Sequence, residues 1–244
     1  ILDRHFHHTI HLNHWSEFSR PPLYDDWHAI AQTDIPLYLF NGVVVTVGIL
    51  VLQLLVTVPA AYALAHREFF GRKVMFAGVV AALLVPFHVT AIPIFIGFAE
   101  LRILNTYTGL ILPFVATAFG LFLLRQAFAR IPKELIDAAR VDGMSEMGIA
   151  WRVAFPLGMP TVIAFSIFSV TAHWNDLFWP LIATTDPNLA TPPRGILFFR
   201  DEESGDDIGP LMAGAALITA PLVIGFLLAQ KRFTQGLANT GLKG

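Results

Sequence analysis

Apolar positions dominate the chain in long runs, and polar positions gather between them. Five runs reach bilayer length: about Leu39–Ala65, Val74–Ala99, Thr108–Ala129, Gly158–Thr184 and Pro210–Ala229. A hydrocarbon core of about 30 Å needs roughly 20 mostly apolar residues per helical span, so each run predicts a transmembrane helix. Prolines fall inside them at Pro59, Pro86, Pro93, Pro113, Pro180 and Pro221, alongside glycines such as Gly42, Gly48, Gly120 and Gly225. In a membrane bundle, neighbouring helices satisfy the backbone groups that proline frees, and small residues let helices approach closely. The competing reading is a large soluble helical core, but five runs of this length exceed what such a core needs.

The longest polar interruption lies between the third and fourth runs, at "PKELIDAARVDGMSEMGIAWRV", Pro132–Val153. Pro132 suits a first helical turn, and Glu134 and Asp137 place negative charge near the N-terminal end of a helix dipole. Ala138 and Ala139 are strong helix formers, and Leu135, Ala138, Ala139 and Val141 supply a modest apolar face. Gly143 offers a break or a C-cap. A second amphipathic piece is predicted from Ser145, its N-cap, with Met147, Ile149, Ala150, Trp151, Val153 and Ala154 as apolar contacts. A solvated connector needs neither two apolar stripes nor a break, and about 28 residues (130–157) is long for one. A docking element for another protein accounts for both features.

Composition agrees with a membrane protein: 55% of the 244 residues are hydrophobic and 14% charged, with a mean hydropathy of +0.61. The chain has no cysteine, which excludes disulfide and thiolate–metal chemistry. Lys and Arg divide unequally between the two sets of inter-span segments. Eleven of the sixteen, including Arg67, Arg72, Lys133 and Arg140, fall on one side, and Arg4, Arg20, Arg102, Arg194 and Arg200 fall on the other. By the positive-inside bias the first side is cytoplasmic, which places the 130–157 loop in the cytoplasm and residues 1–38 outside. No signal-peptide pattern explains an external start, so a preceding transmembrane helix is expected. That segment carries His5, His7, His8, His11 and His14, but no carboxylate cluster completes a metal set, and no metal site is expected.

At "ELIDAARVDGMSEMGIAWRVAFPLGMP" the chain resembles the cytoplasmic EAA loop of ABC importer permeases, in the long form found in carbohydrate-uptake systems. Glu134, Ala138, Ala139, Asp142 and Gly143 stand at the matching positions. Further pieces agree in order: "LFNGVVVTVG", "AAYALAHREFFGRK", "LNTYTGLILP", "WNDLFWPL" and "QKRFTQGLANTGLKG". The resemblance covers residues 38–244. It implies an all-α polytopic fold of the maltose-type importer transmembrane domain (39–244), with five of six helices visible, behind an extracytoplasmic segment (1–38). It also implies location in a bacterial or archaeal inner membrane, and a set of partners. These are a homologous second permease, two ABC ATPase subunits and a periplasmic or lipid-anchored solute-binding protein, with no nucleic acid.

No G-x-x-x-x-G-K-[ST] loop occurs, so the chain is expected to hold no cofactor and to catalyse no reaction, ATP and Mg being bound by the partner ATPases. Glu134, Asp137, Ala138, Ala139, Arg140, Asp142 and Gly143 are the expected ATPase-coupling residues. In "HWNDLFWP", His173, Trp174, Asn175, Asp176 and Phe178 are candidates for the translocation pathway, since polar groups are costly in lipid and tend to face a cavity. The alternative for these residues is structural, with tryptophan at the interface and Asn or Asp bonding neighbouring helices. For Gln53, Asn41 and His88 a helix–helix hydrogen bond is expected. The acidic "RDEESGDD" (200–207) reads as solvated, or as a docking surface for the binding protein.

A self-sufficient secondary transporter or channel is the alternative function. Such proteins place ionisable residues deep in several spans. Here Asp176 is the single acidic residue inside a proposed span. The resemblance spans importers of oligosaccharides, monosaccharides, polyols and glycerol-phosphate esters, and does not choose among them.

Overall fold

The computed structural model describes residues 34–199, 212, 214–225 and 227, and these contain helices and no strands. The segment 1–33 with its histidines, the acidic stretch 200–207 and the C-terminal "QKRFTQGLANTGLKG" lie outside the described residues.

The first run folds as α1, Ile35–His66, 32 residues that begin with a proline in the first turn and end where Arg67 turns extended. At 1.5 Å per residue it is about 48 Å long, more than a hydrocarbon core. Among the described residues it is the one helix long and apolar enough to cross a membrane unaided. Asn41, Val45, Ile49, Gln53 and Val58 line its buried face, while Phe40, Val43, Val47, Val51 and Leu55 line the exposed one. Both faces are apolar, so periodicity in the sequence does not distinguish them.

The next runs do not form single rods. Val74–Ala99, expected as one span, is two helices, α2 (Arg72–Ala82) and α3 (Phe87–Glu100), inclined at 100°. Residues 83–85 are apolar, so hydropathy runs straight through them, but Pro86 stands extended (φ −65°, ψ 137°) and disfavours helix in the residue before it. The third run comprises α4 (Tyr107–Ile111), a 3-10 turn at Leu112–Phe114 and α5 (Ala118–Phe128), bent by 47°. Thr117 restarts the helix by accepting a hydrogen bond from the Gly120 N–H at 3.1 Å.

The loop follows as α6 (Lys133–Val141), α7 (Glu146–Ile149), a π-helical turn (Ala150–Ala154) and α8 (Phe155–Leu157). At Gly158 the chain turns by 85° into α9 (Met159–Trp174). The fourth expected span therefore ends early. Asn175 closes α9, and α10 (Phe178–Ala183) and α11 (Pro192–Ile196) are short separate helices. Within the fifth run lies α12, Gly214–Gly225. With each bent pair counted as one span, up to four crossings are available by length and composition among the described residues.

Two larger apolar cores hold most of these pieces together, with a smaller one around Ile35, Tyr38 and Ala190. One, at the loop end, gathers Val58 and Tyr62 of α1, Leu124 and Phe128 of α5, Ile136 of α6 and Ile149 of α7. The other joins Val45 and Ile49 of α1 to Ala91, Leu110 and Trp179. At the far end of α1, fully buried Asn41 donates to the carbonyls of Asn188 (2.8 Å) and Ala190 (3.0 Å) and accepts from the Tyr107 hydroxyl (2.5 Å). Truncating it strands three polar partners at once. Asn41→Ala is therefore expected to destabilise the protein by about 2–3 kcal/mol, read as a lower melting temperature in detergent.

Candidate functional site

The 130–157 loop is built as a helix, a break and a second helix. Gly143 adopts φ +80°, the left-handed region that ends a helix cheaply only at glycine. Its N–H bonds the Arg140 carbonyl at 3.0 Å and the Met144 N–H bonds the Ala139 carbonyl at 3.0 Å, which closes α6. The Ser145 hydroxyl then accepts from the Gly148 N–H at 3.1 Å and opens α7 as its N-cap.

The apolar residues of α6 divide between its two sides. Ile136 and Ala139 are buried, whereas Leu135 and Val141, grouped with Ala138 and Ala139 in the apolar face expected from the sequence, are 48% and 87% exposed. A nine-residue helix samples too few turns for periodicity to choose among closely spaced apolar positions. The exposed surface of α6 carries Glu134, Leu135, Ala138 and Val141, continued by Asp142 and Gly143. Beside it, a shallow cavity of about 570 Å³ is lined by Asp142, Gly143, Met144, Ser145, Met147, Gly148, Trp151 and Arg152.

The charged residues of the loop separate into two groups. Arg140 donates to Asp137 at 2.8 Å and to Glu146 at 3.0 Å, tying α6 across the break to α7. Glu146 also accepts from the Tyr62 hydroxyl at 2.6 Å and from Arg67 at 2.7 Å, both at the end of α1. Glu134 and Asp142 are exposed and take part in none of these bonds. Burial alone would raise the Glu146 carboxyl, but the Tyr62 hydrogen bond and the Arg140 and Arg67 guanidiniums outweigh it and hold the group below its ordinary value. The Glu146 bonds hold Arg140 protonated more firmly than a free arginine. A depressed carboxylate stabilises the fold above the ordinary carboxylate pKa, and the contribution is lost as pH falls through the lower folded value. Glu146 and Tyr62 are absent from the sequence-derived set because the contact joins residues 84 apart, which no local spacing reveals.

Between the helices, "HWND" places its members in different roles. His173 meets the Gln53 side chain at 3.3 Å (Nε2 to Nε2) and lies against the Phe114 ring, centroids 4.6 Å apart. Gln53 accepts from the Ser169 hydroxyl at 2.6 Å and donates to the Phe114 carbonyl at 2.8 Å. That carbonyl sits at the break before α5, so Gln53 supplies a partner that the interrupted helix lacks. Trp174 is buried with its indole N–H on the Ile218 carbonyl at 3.0 Å, and exposed Asn175 bonds back to the Thr171 carbonyl at 2.8 Å. Asp176 accepts from the Trp179 N–H at 3.4 Å at the start of α10. Phe178 packs on the His88 ring at 4.5 Å. Of the five, His173 alone meets a polar side chain of another helix at hydrogen-bond distance. The hydrogen bonds expected of Gln53 and Asn41 are present, whereas His88 makes an aromatic contact instead.

Known proteins share this architecture. A solved bacterial ABC transporter, involved in the import of the acidic polysaccharide alginate, matches with a TM-score of 0.77 at 23% identity, over 85% of this chain and 79% of that one. The arabinooligosaccharides transport system permease protein AraQ of Halalkalibacterium halodurans is 36% identical over 204 residues, covering 84% of this chain and 73% of the relative. The sn-glycerol-3-phosphate transport system permease protein UgpE of Yersinia enterocolitica is 33% identical over 218 residues, covering 88% and 78%. Residues 57–239 match the family described as the inner membrane component of binding-protein-dependent transport systems. With three quarters of its length inside that match, the chain belongs to the family of binding-protein-dependent transport system inner membrane components.

Proposed function

We propose that the chain is a multi-pass permease subunit of an ABC importer for a sugar or sugar-like solute. In this reading it forms half of the translocation pathway with a second, homologous permease. Two ATPase subunits bind ATP and Mg on the cytoplasmic side, and a solute-binding protein delivers the solute from outside. The carbohydrate assignment draws on the arabinooligosaccharide permease and on the glycerol-phosphate ester named for the second relative.

The observation that carries the reading is the two-sided α6. Its inner side is anchored by Ile136 and Ala139, while its outer side leaves Leu135 and Val141 exposed beside the cavity of the 142–152 turn. Exposed apolar residues rimmed by charge mark a surface that another protein covers. Glu134, Leu135, Ala138, Val141, Asp142 and Gly143 form the outer surface for the ATPase, and Asp137 and Arg140 hold the helix in place for it. Because α6 and α7 are braced together and α7 continues to α9, closure of the ATPases would move the loop as a unit and carry the bundle between inward-facing and outward-facing states. His173 and Phe178 are the proposed pathway contributors of the fourth run. Trp174 and Asn175 use their side-chain hydrogen bonds on backbone carbonyls, and Asp176 accepts from the backbone of the turn that carries Phe178.

Leu135→Glu and Val141→Glu, placed on the exposed side, are expected to leave the melting temperature unchanged and to abolish co-purification of the ATPase subunits. Retention of the ATPase by the double variant would remove the docking role from this face. Transport by the purified chain alone, driven by an ion gradient in liposomes, would favour a secondary transporter instead.

A further inference from the structure

We infer that Glu146 is a positioning residue that clamps the loop onto the end of α1, so that a displacement of the loop reaches α1 directly as well as α9 through Gly158. The inference rests on the proposed docking of the ATPase to α6. Three donors from separate places in the chain converge on one carboxylate. The Tyr62 hydroxyl reaches Oε2 at 2.6 Å, while Arg67 and Arg140 reach Oε1 at 2.7 and 3.0 Å. Tyr62 and Arg67 sit at the end of α1 and just beyond it, and Arg140 reaches back to Asp137 on α6. One side chain thus touches α1 and holds the arginine that braces α6.

The apolar floor beneath this clamp points the same way. Ile136 and Ile149, fully buried, share a core with Val58, Ala61 and Tyr62 of α1. Loop and α1 therefore meet through a greasy contact topped by charge-assisted hydrogen bonds, the stronger class of such bonds. The covalent route is less direct. It runs through a π-helical turn and an 85° corner before it reaches α9.

These 244 residues contain no cysteine, so once cysteines of the partner subunits are replaced a single label can report on each route separately. A spin label would be placed at Leu55→Cys on α1 or Phe168→Cys on α9, both exposed positions, in the full complex with its partner permease, ATPases and binding protein. The signal is the change in label mobility on adding MgATP and vanadate. With Glu146→Gln, the α1 response is expected to fall about fivefold or more while the α9 response persists, the size of a modest coupling energy. Tyr62→Phe, which removes one hydroxyl from a packed site, should show the same split to a smaller degree. An unchanged α1 response in both variants overturns the inference. So does an equal loss at both labels, since that is what a residue merely stabilising the fold would give. If the parent chain fails to retain the ATPases or shows no response at either label, it is the docking reading that fails.

Discussion

Replacing Gly143 with alanine is expected to weaken retention of the ATPase subunits by about tenfold, and replacing it with tryptophan to weaken it at least as much. The reason lies in the backbone. At φ +80° an L-residue costs about 1–2 kcal/mol, and 1.4 kcal/mol is a factor of ten in an equilibrium. Within the chain the space around the site is open, for a Cβ built on Gly143 meets nothing within 4 Å, so the alanine variant reports the backbone alone. Asparagine, which visits the left-handed region more readily, should keep most of the binding. Quantitative co-purification of the Ala, Trp and Asn variants decides the matter. Wild-type retention by Ala would show that conformation is not what Gly143 contributes.

A second large effect is expected at Gly158, for the opposite reason. Its φ of −87° is ordinary, but a Cβ there would lie 2.5 Å from Cε1 of Phe128 and 3.1 Å from the Ala154 carbonyl oxygen. Phe128 is fully buried in the core under the loop and has no room to swing aside. Forcing a side chain into such a site costs about 1–3 kcal/mol or more. Gly158→Val should therefore lower the melting temperature in detergent by about 5–10 °C. Gly97→Ala, inside α3 where a Cβ meets nothing within 4 Å, is the control and should leave the melting temperature unchanged or slightly raised. A Gly158→Val protein melting with the parent would mean that the corner opens without strain.

The sequence made α1 legible to within a few residues, because its apolar run is uninterrupted and its ends are marked by Pro36 and by the polar His66–Glu68. The helix–break–helix of the loop was equally legible, since Gly143 and Ser145 carry local backbone chemistry that acts the same way in any surroundings. The corner after α2 was not. Leu83, Leu84 and Val85 are as apolar as a span, and hydropathy measures partition into lipid, not direction. Which face of α6 turns inward was equally hidden, because Leu135 and Ile136 are alike in hydropathy and only the α1 and α5 side chains opposite them choose. The charged residues of the loop were visible as a group. Their division into the bracing pair Asp137 and Arg140 and the outward Glu134 and Asp142 required Glu146, whose partners Tyr62 and Arg67 belong to another helix.

The corner at Gly158 sets the kind of motion the bundle can receive. Glu146 to Leu157 is an arm of 12 residues, about 18 Å at 1.5 Å per residue, standing almost square to α9. A push along that arm has almost no component along the α9 axis. It cannot act as a piston, and instead tilts the base of α9 sideways, like a hand crank turning its shaft.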